Sequence, residues 1–220
     1  MPARIMRRIV GYVGPGLALQ ELLYGFIMAL LFVTAAQLGI VKDAISAIVL
    51  IVGMNFTWGA IDMIVFTVVD RFNQRKYIRL VAGKDSAENG RYVERLIEDE
   101  LAGTLIDVVD REDEKKIVEL IMASRLESEE ELLRDRREMF MGSLFSFVIT
   151  LTTVIPVIVP LMVIRDFGLA LTVASGMASV CLFFTGYYMA PYVGYSRWKT
   201  GLGLAAMGWA ITIAATFTGG

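Results

Sequence analysis

Residues 55–79 read NFTWGAIDMIVFTVVDRFNQRKYIR, an apolar run that holds two carboxylates and then turns into a charged segment. Asp62 sits well inside the run and Asp70 at its end. An ionisable group at bilayer depth costs a few kcal/mol or more, so it is expected to face a bundle interior, a water-filled cavity or a substrate path. The stretch therefore decides two things together: a helix that crosses a membrane, and a polar stripe on that helix.

The rest of the chain agrees with a membrane setting. Of its 220 residues 56% are hydrophobic and the mean hydropathy is +0.60, outside the range of an ordinary soluble domain. Charge is concentrated, since 18 of the 23 acidic and 14 of the 21 basic residues fall between positions 71 and 142. The single cysteine, Cys181, rules out an intrachain disulfide, and the absence of histidine removes the commonest transition-metal ligand. A metal would have to be held by carboxylate, amide, carbonyl or thioether groups. The sequence has no phosphate-binding glycine loop, nucleophile elbow, cysteine or histidine metal pattern, or basic-aromatic surface. We therefore expect no enzyme, no required cofactor and no nucleic-acid partner.

Five apolar runs reach the roughly 20 residues needed to span a bilayer, at 17–41, 44–69, 143–164, 167–190 and 201–218. Basic residues should collect on the cytoplasmic side. With the N-terminus inside, that side holds 19 of the 21 Lys and Arg residues, and the outer loops hold only Lys42 and Arg165. The expected fold class is thus an all-α integral membrane protein with five transmembrane helices, N-terminus in and C-terminus out. A three-helix cytoplasmic module is expected between the second and third spans. The division is 1–16, a basic amphipathic surface segment with Arg4, Arg7 and Arg8; 17–71, spans one and two; 72–141, the acidic module; and 142–220, spans three to five. Within the module, Val93, Leu96, Ile97 and Leu101, then Ile117, Leu120 and Ile121, recur at helical spacing, and Ser128 with Glu131 has the form of a capping box. Gly83, Gly90 and Gly103 mark breaks.

Several groups are candidates for chemistry. Asn55 and Asp62, seven residues apart, share a helix face, and Met63 and Asp70 form the neighbouring stripe. Met28 and Gln37 on the first span can line the same path. Asp70, followed by Arg71 and Arg75, equally fits an interfacial residue paired with cations, whereas no cation lies close to Asp62 in sequence. In the module, Glu94 and Glu98 share a face, and Glu127, Glu131, Asp135 and Glu138 align along another, with Met139 following. Such rows can bind Mn²⁺, Fe²⁺ or Mg²⁺ through oxygen, and a thioether shifts preference to softer ions. A solvated row neutralised by Arg134, Arg136 and Arg137 is the competing reading. Pro156 and Pro160 are expected to kink the third span.

In its layout the chain resembles the vacuolar iron transporter family. ELLYGF at 21–26, GAIDM at 59–63 followed by NQR at 73–75, the proline-containing third span and SRWKTGLGLAAMGWAITIAA at 196–215 carry the likeness, with Met63 and Gln74 on matching positions. The resemblance implies export of Fe²⁺ or Mn²⁺ from the cytoplasm in exchange for protons, a homodimer with the path between protomers, and metal collection by the acidic module. The family's Asp-Gly pair in the first span appears here as Met28 and Ala29, and its second-span glutamate as Thr67. Asp62, about one turn from Thr67, and Asp70 are the carboxylates that could take over that part. The membrane is expected to be the cell membrane or that of an internal storage organelle. Two alternatives stay open: a non-transporting protein of the same fold whose module senses metal or docks a partner, and an ion channel.

Overall fold

The computed structural model of the chain describes residues 13–83, 90–124 and 129–218. Seven helices make up the regular structure among them, α1 (Pro15–Gln37), α2 (Ala44–Gly83), α3 (Gly90–Leu101), α4 (Arg111–Ala123), α5 (Glu129–Val163), α6 (Phe167–Met189) and α7 (Arg197–Thr218), with 3₁₀ turns at Leu105–Val108 and Ala190–Val193. No strand occurs among the described residues. Helices α1, α2, α5, α6 and α7 each carry a stretch long and apolar enough to cross a membrane, the number the apolar runs predict. The chain is a multi-pass integral membrane protein.

The helix ends depart from the apolar runs where backbone chemistry overrides hydropathy. Gly39, at φ +88°, ends α1 ahead of the expected residue 41, with the Leu38 amide donating to the Thr34 and Ala35 carbonyls. Asp43 caps α2 by accepting from the Ser46 amide at 2.9 Å and its hydroxyl at 2.7 Å. These bonds, the amide's first, hold the Asp43 carboxyl below the usual carboxylate range. At its other end α2 runs on through the charged residues to Gly83, and α5 begins at Glu129, well before its apolar part. Helical hydrogen bonding needs no apolar side chains, so hydropathy marks where a span lies but not where its helix stops. The surface segment over residues 1–12 and the Ser128 cap lie outside the described residues.

Two compact units result, Met1–Val65 with Phe140–Gly220 and Phe66–Met139, so that the boundary falls inside the continuous helices α2 and α5. In the first, the core is built from Leu30 and Val33 of α1, Ile51 of α2, Val157 of α5, and Ala174, Ala178 and Leu182 of α6. Small residues bring helices together where lipid removes most of the hydrophobic drive for association. A Cβ on Gly186 of α6 would lie 2.7 Å from the Thr200 carbonyl oxygen and 3.0 Å from the Gly201 Cα, and one on Gly201 of α7 would lie 2.8 Å from the Phe183 carbonyl oxygen. Backbone meets backbone between α6 and α7. Pro156 and Pro160 both lie inside α5.

In the second unit α3 packs on α4 through Val93, Ile97 and Val118, with Leu101, Ile121 and Met122 at the margin; of the α4 residues expected at helical spacing only Ile121 takes part, Leu120 being 69% exposed and Val118 standing where Ile117 is expected. Asp110 caps α4 by accepting from the Glu112 and Asp113 amides at 2.9 and 3.1 Å. An ion pair joins Lys76 of α2 to Glu100 of α3, and the Arg136 Nε of α5 donates to Gln74 Oε1 of α2 at 3.1 Å.

Because the obstacle at Gly186 is backbone, the Gly186→Ala variant has no side chain to displace and should lose about 1–3 kcal/mol of stability. Its thermal unfolding midpoint in detergent should fall. Gly176→Ala in the same helix, where an added Cβ meets nothing within 4 Å, should change it little.

Candidate functional site

The most buried charged side chain among the described residues is one that apolar patterning does not single out. Glu21 of α1 is 0% exposed. It is the only acidic residue of the first span, and in sequence it stands merely at the start of ELLYGF. What buries it is α5. The fully buried Thr150 donates its hydroxyl to Glu21 Oε2 and lies 3.3 Å from the Ser146 carbonyl oxygen. One hydroxyl proton serves only one of these acceptors at a time.

Two glycines set the distances. A Cβ on Gly25, one turn along from Glu21, would sit 2.2 Å from Thr153 Oγ1, so α1 and α5 meet closely there. A Cβ on Gly59 of α2 would sit 3.0 Å from Phe147 Cδ2 and 3.4 Å from Thr150 Cβ. Thr150 is thus flanked by Glu21 on one side and by the Gly59 region of α2 on the other. Phe56 and Phe147 close the same α2–α5 contact edge to face, with ring centroids 5.4 Å apart.

Asp62 follows Gly59 by three residues and lies near enough to Glu21 for the two carboxyl charges to oppose each other, while Trp58, one turn back, hydrogen-bonds to it. Ser146 precedes Thr150 by one turn of α5. On α2 the other way, Asn55 is 0% exposed and spends its amide nitrogen on the Ile51 carbonyl at 3.0 Å. Four buried side-chain oxygens around this region have no hydrogen-bond partner: Glu21 Oε1, Asn55 Oδ1, Asp62 Oδ2 and Ser146 Oγ. Buried polar atoms are nearly always paired, and leaving one unpaired costs about 1–3 kcal/mol. Here they gather on three helices. No Lys or Arg occurs in α1, in α2 before Arg71 or in α5 after Arg137, so no cationic side chain of these helices is at hand to balance the pair.

The other residues singled out by sequence are placed as follows. Met28 and Met63 are half-buried, and Gln37 is exposed, with its amide donating to Ser175 Oγ of α6 at 3.4 Å. Asp70 is half-buried and belongs to the second unit. In that unit Glu94, Glu98, Glu131 and Glu138 are exposed and Asp135 and Met139 half-buried, and Glu127 lies outside the described residues. No three His, Cys, Asp or Glu residues are grouped as a metal ion would need among the described residues. Lys116, on α4, is held above its usual range by Asp113 and then Glu112, a surface pairing with 3.0 Å contacts.

A multi-span helical protein with one buried and one half-buried carboxyl group among three spans belongs, by chemistry, with proteins that handle charge inside a membrane. Residues 81–220 match the profile of the VIT family, and the chain belongs to that family, the vacuolar iron transporters. Membership implies membrane transport of metal ions in general, the activity of the family's members. No curated protein and no solved structure matches the chain.

Since Glu21 depends on one donor, Thr150→Val should destabilise the protein by about 1–3 kcal/mol, through a buried carboxyl left without its partner. Thr150→Ser, which keeps the hydroxyl, should retain most of the stability. Thermal unfolding of the two variants in the same detergent checks the difference.

Proposed function

We propose that the protein moves a divalent metal cation, Fe²⁺ or Mn²⁺, out of the cytoplasm in exchange for protons. The observation that carries the reading is the pair of buried Glu21 and half-buried Asp62 at α1, α2 and α5, each with an open buried oxygen and with no Lys or Arg on those parts of the helices. Two carboxyl groups in a low-dielectric site need positive charge, and protons or a metal cation can each supply it. A cation that enters therefore displaces protons, and protons that return displace the cation, which is the chemistry of an antiporter. Asn55 continues the polar stripe about 10 Å along the α2 axis from Asp62, at 1.5 Å per residue. Met63, Asp70, Met28 and Gln37 are assigned to the same route.

In this reading the N-terminus and the second unit lie in the cytoplasm, on the strength of the 19-to-2 division of basic residues. The carboxylates Glu94, Glu98, Glu127, Glu131, Asp135 and Glu138, with Met139, concentrate metal there before it enters. The working form is a homodimer, in the cell membrane or a storage-organelle membrane. One observation favours a second reading. The family match covers the whole region 90–139 but leaves out α1 and most of α2, and the second unit has its own core. This supports a membrane protein whose polar unit senses metal or docks a partner while the spans transport nothing.

Proteoliposomes with an imposed pH gradient separate the two. We expect Fe²⁺ or Mn²⁺ flux that Asp62→Asn lowers at least tenfold, with proton movement lost in step. Absence of flux for every divalent cation tried would overturn the transport reading.

A further inference from the structure

We propose that Glu21, Asp62, Ser146 and Thr150 form, within a single chain, an all-oxygen binding site for one hard divalent cation of the Mn²⁺ and Mg²⁺ class. The inference builds on the reading of the Glu21–Asp62 pair as the place where transported charge rests, and it adds the ligands, their number and the class of ion.

The donor set follows from what is paired and what is not. Thr150 bonds Glu21 through Oε2, which leaves Oε1 unpartnered, and Asp62 keeps Oδ2 unpartnered despite its bond to Trp58. Ser146 Oγ, on the same face of α5 as Thr150 and 0% exposed, is unpartnered as well. One bound water could meet all three open oxygens, by donating to the two carboxylates and accepting from the Ser146 hydroxyl, but it would leave the charge of two carboxylates unbalanced. A divalent cation answers both deficits, because it accepts lone pairs from carboxylate and hydroxyl oxygens alike and carries the opposite charge.

Hardness is set by what the cluster lacks. It contains no thiolate or imidazole, and carboxylate and hydroxyl oxygens suit Mg²⁺, Ca²⁺ and Mn²⁺ better than soft ions. All four ligands come from α1, α2 and α5 of one chain, so the site is complete without a partner copy. Thr150 has a further part. Its single proton points to Glu21 or to the Ser146 carbonyl, and turning it to the carbonyl frees the second Glu21 oxygen for the cation, while the hydroxyl keeps its lone pairs in either orientation. Asn55, about 10 Å further along α2, is too distant to share this ion and stands as the next polar step.

The test is a titration of the full chain in lipid nanodiscs with Mn²⁺ alone, read by the loss of the free-ion paramagnetic resonance signal. Any Mn²⁺ held elsewhere is present in every variant, so the readout is the difference from the unaltered chain. Glu21→Gln and Asp62→Asn should each remove one equivalent of bound Mn²⁺ per chain. Thr150→Val should weaken that equivalent about tenfold and Thr150→Ser should restore it. Ser146→Ala guards against a folding artefact. Removing an unpartnered hydroxyl should leave the metal-free protein at least as heat-stable as before, while the same equivalent weakens. Unchanged Mn²⁺ binding in Glu21→Gln or Ser146→Ala would overturn the proposal, and loss of one equivalent per two chains would overturn the single-chain site. The two readings fail separately. Flux with unaltered Mn²⁺ binding in these variants sinks the site alone, whereas the predicted binding losses without flux of any divalent cation sink transport alone.

Discussion

A carboxyl group withdrawn from water costs several kcal/mol unless charge or hydrogen bonds replace its solvation, and this chain withdraws Glu21 fully and sets the half-buried Asp62 within reach of its charge. The arrangement of α1, α2 and α5 answers to that constraint. Gly25 lets α1 approach α5 until Thr150 reaches Glu21, and Gly59 brings α2 up to the other side of Thr150 so that Asp62 faces the same place. What the protein leaves undone matters as much. To the two carboxyls these three helices supply one donating hydroxyl, one indole and, along the stretches that hold the cluster, no Lys or Arg.

Much of this was legible from the amino-acid sequence. The five spans are marked by runs of apolar residues, a signal that depends on local composition alone, and the inner face of α3 by Val93 and Ile97 at helical spacing, whereas on α4 the spacing of Ile117 and Leu120 misses the buried Val118 beside them. Asp62 was legible for the same reason, as a charge with no neighbour to neutralise it. Glu21 was not. An acidic residue six positions into a helix resembles one placed at the membrane surface, and its burial comes from Thr150, 129 positions away. Thr150 and Ser146 carry no signal at all, because a hydroxyl on an apolar helix usually bonds its own backbone, as Thr34, Thr172 and Thr212 do here. Local spacing likewise shows that Glu131, Asp135 and Glu138 share a helix face, but not what stands opposite them. There Arg136 turns out to donate to Gln74 of α2.

The family match covers residues 81–220, and the polar cluster lies on both sides of its first residue, with Glu21 and Asp62 before it and Ser146 and Thr150 within it. The resemblance that sets Met28, Ala29 and Thr67 against the family's acidic motif concerns α1 and α2 alone, outside the matched residues.

The contact of α6 with α7 has a consequence for how the protein answers to temperature. Where Gly186 meets the Thr200 carbonyl and Gly201 meets Phe183, the helices are held by dispersion between backbones in a medium without water. Such an attraction has little of the heat-capacity signature of apolar hydration, so cooling scarcely weakens it. The second unit rests instead on three buried apolar side chains, Val93, Ile97 and Val118. That grip is hydrophobic and loosens as water cools. The two halves of one polypeptide thus follow different stability curves, with the spans indifferent to cold and the polar unit the first part to feel it.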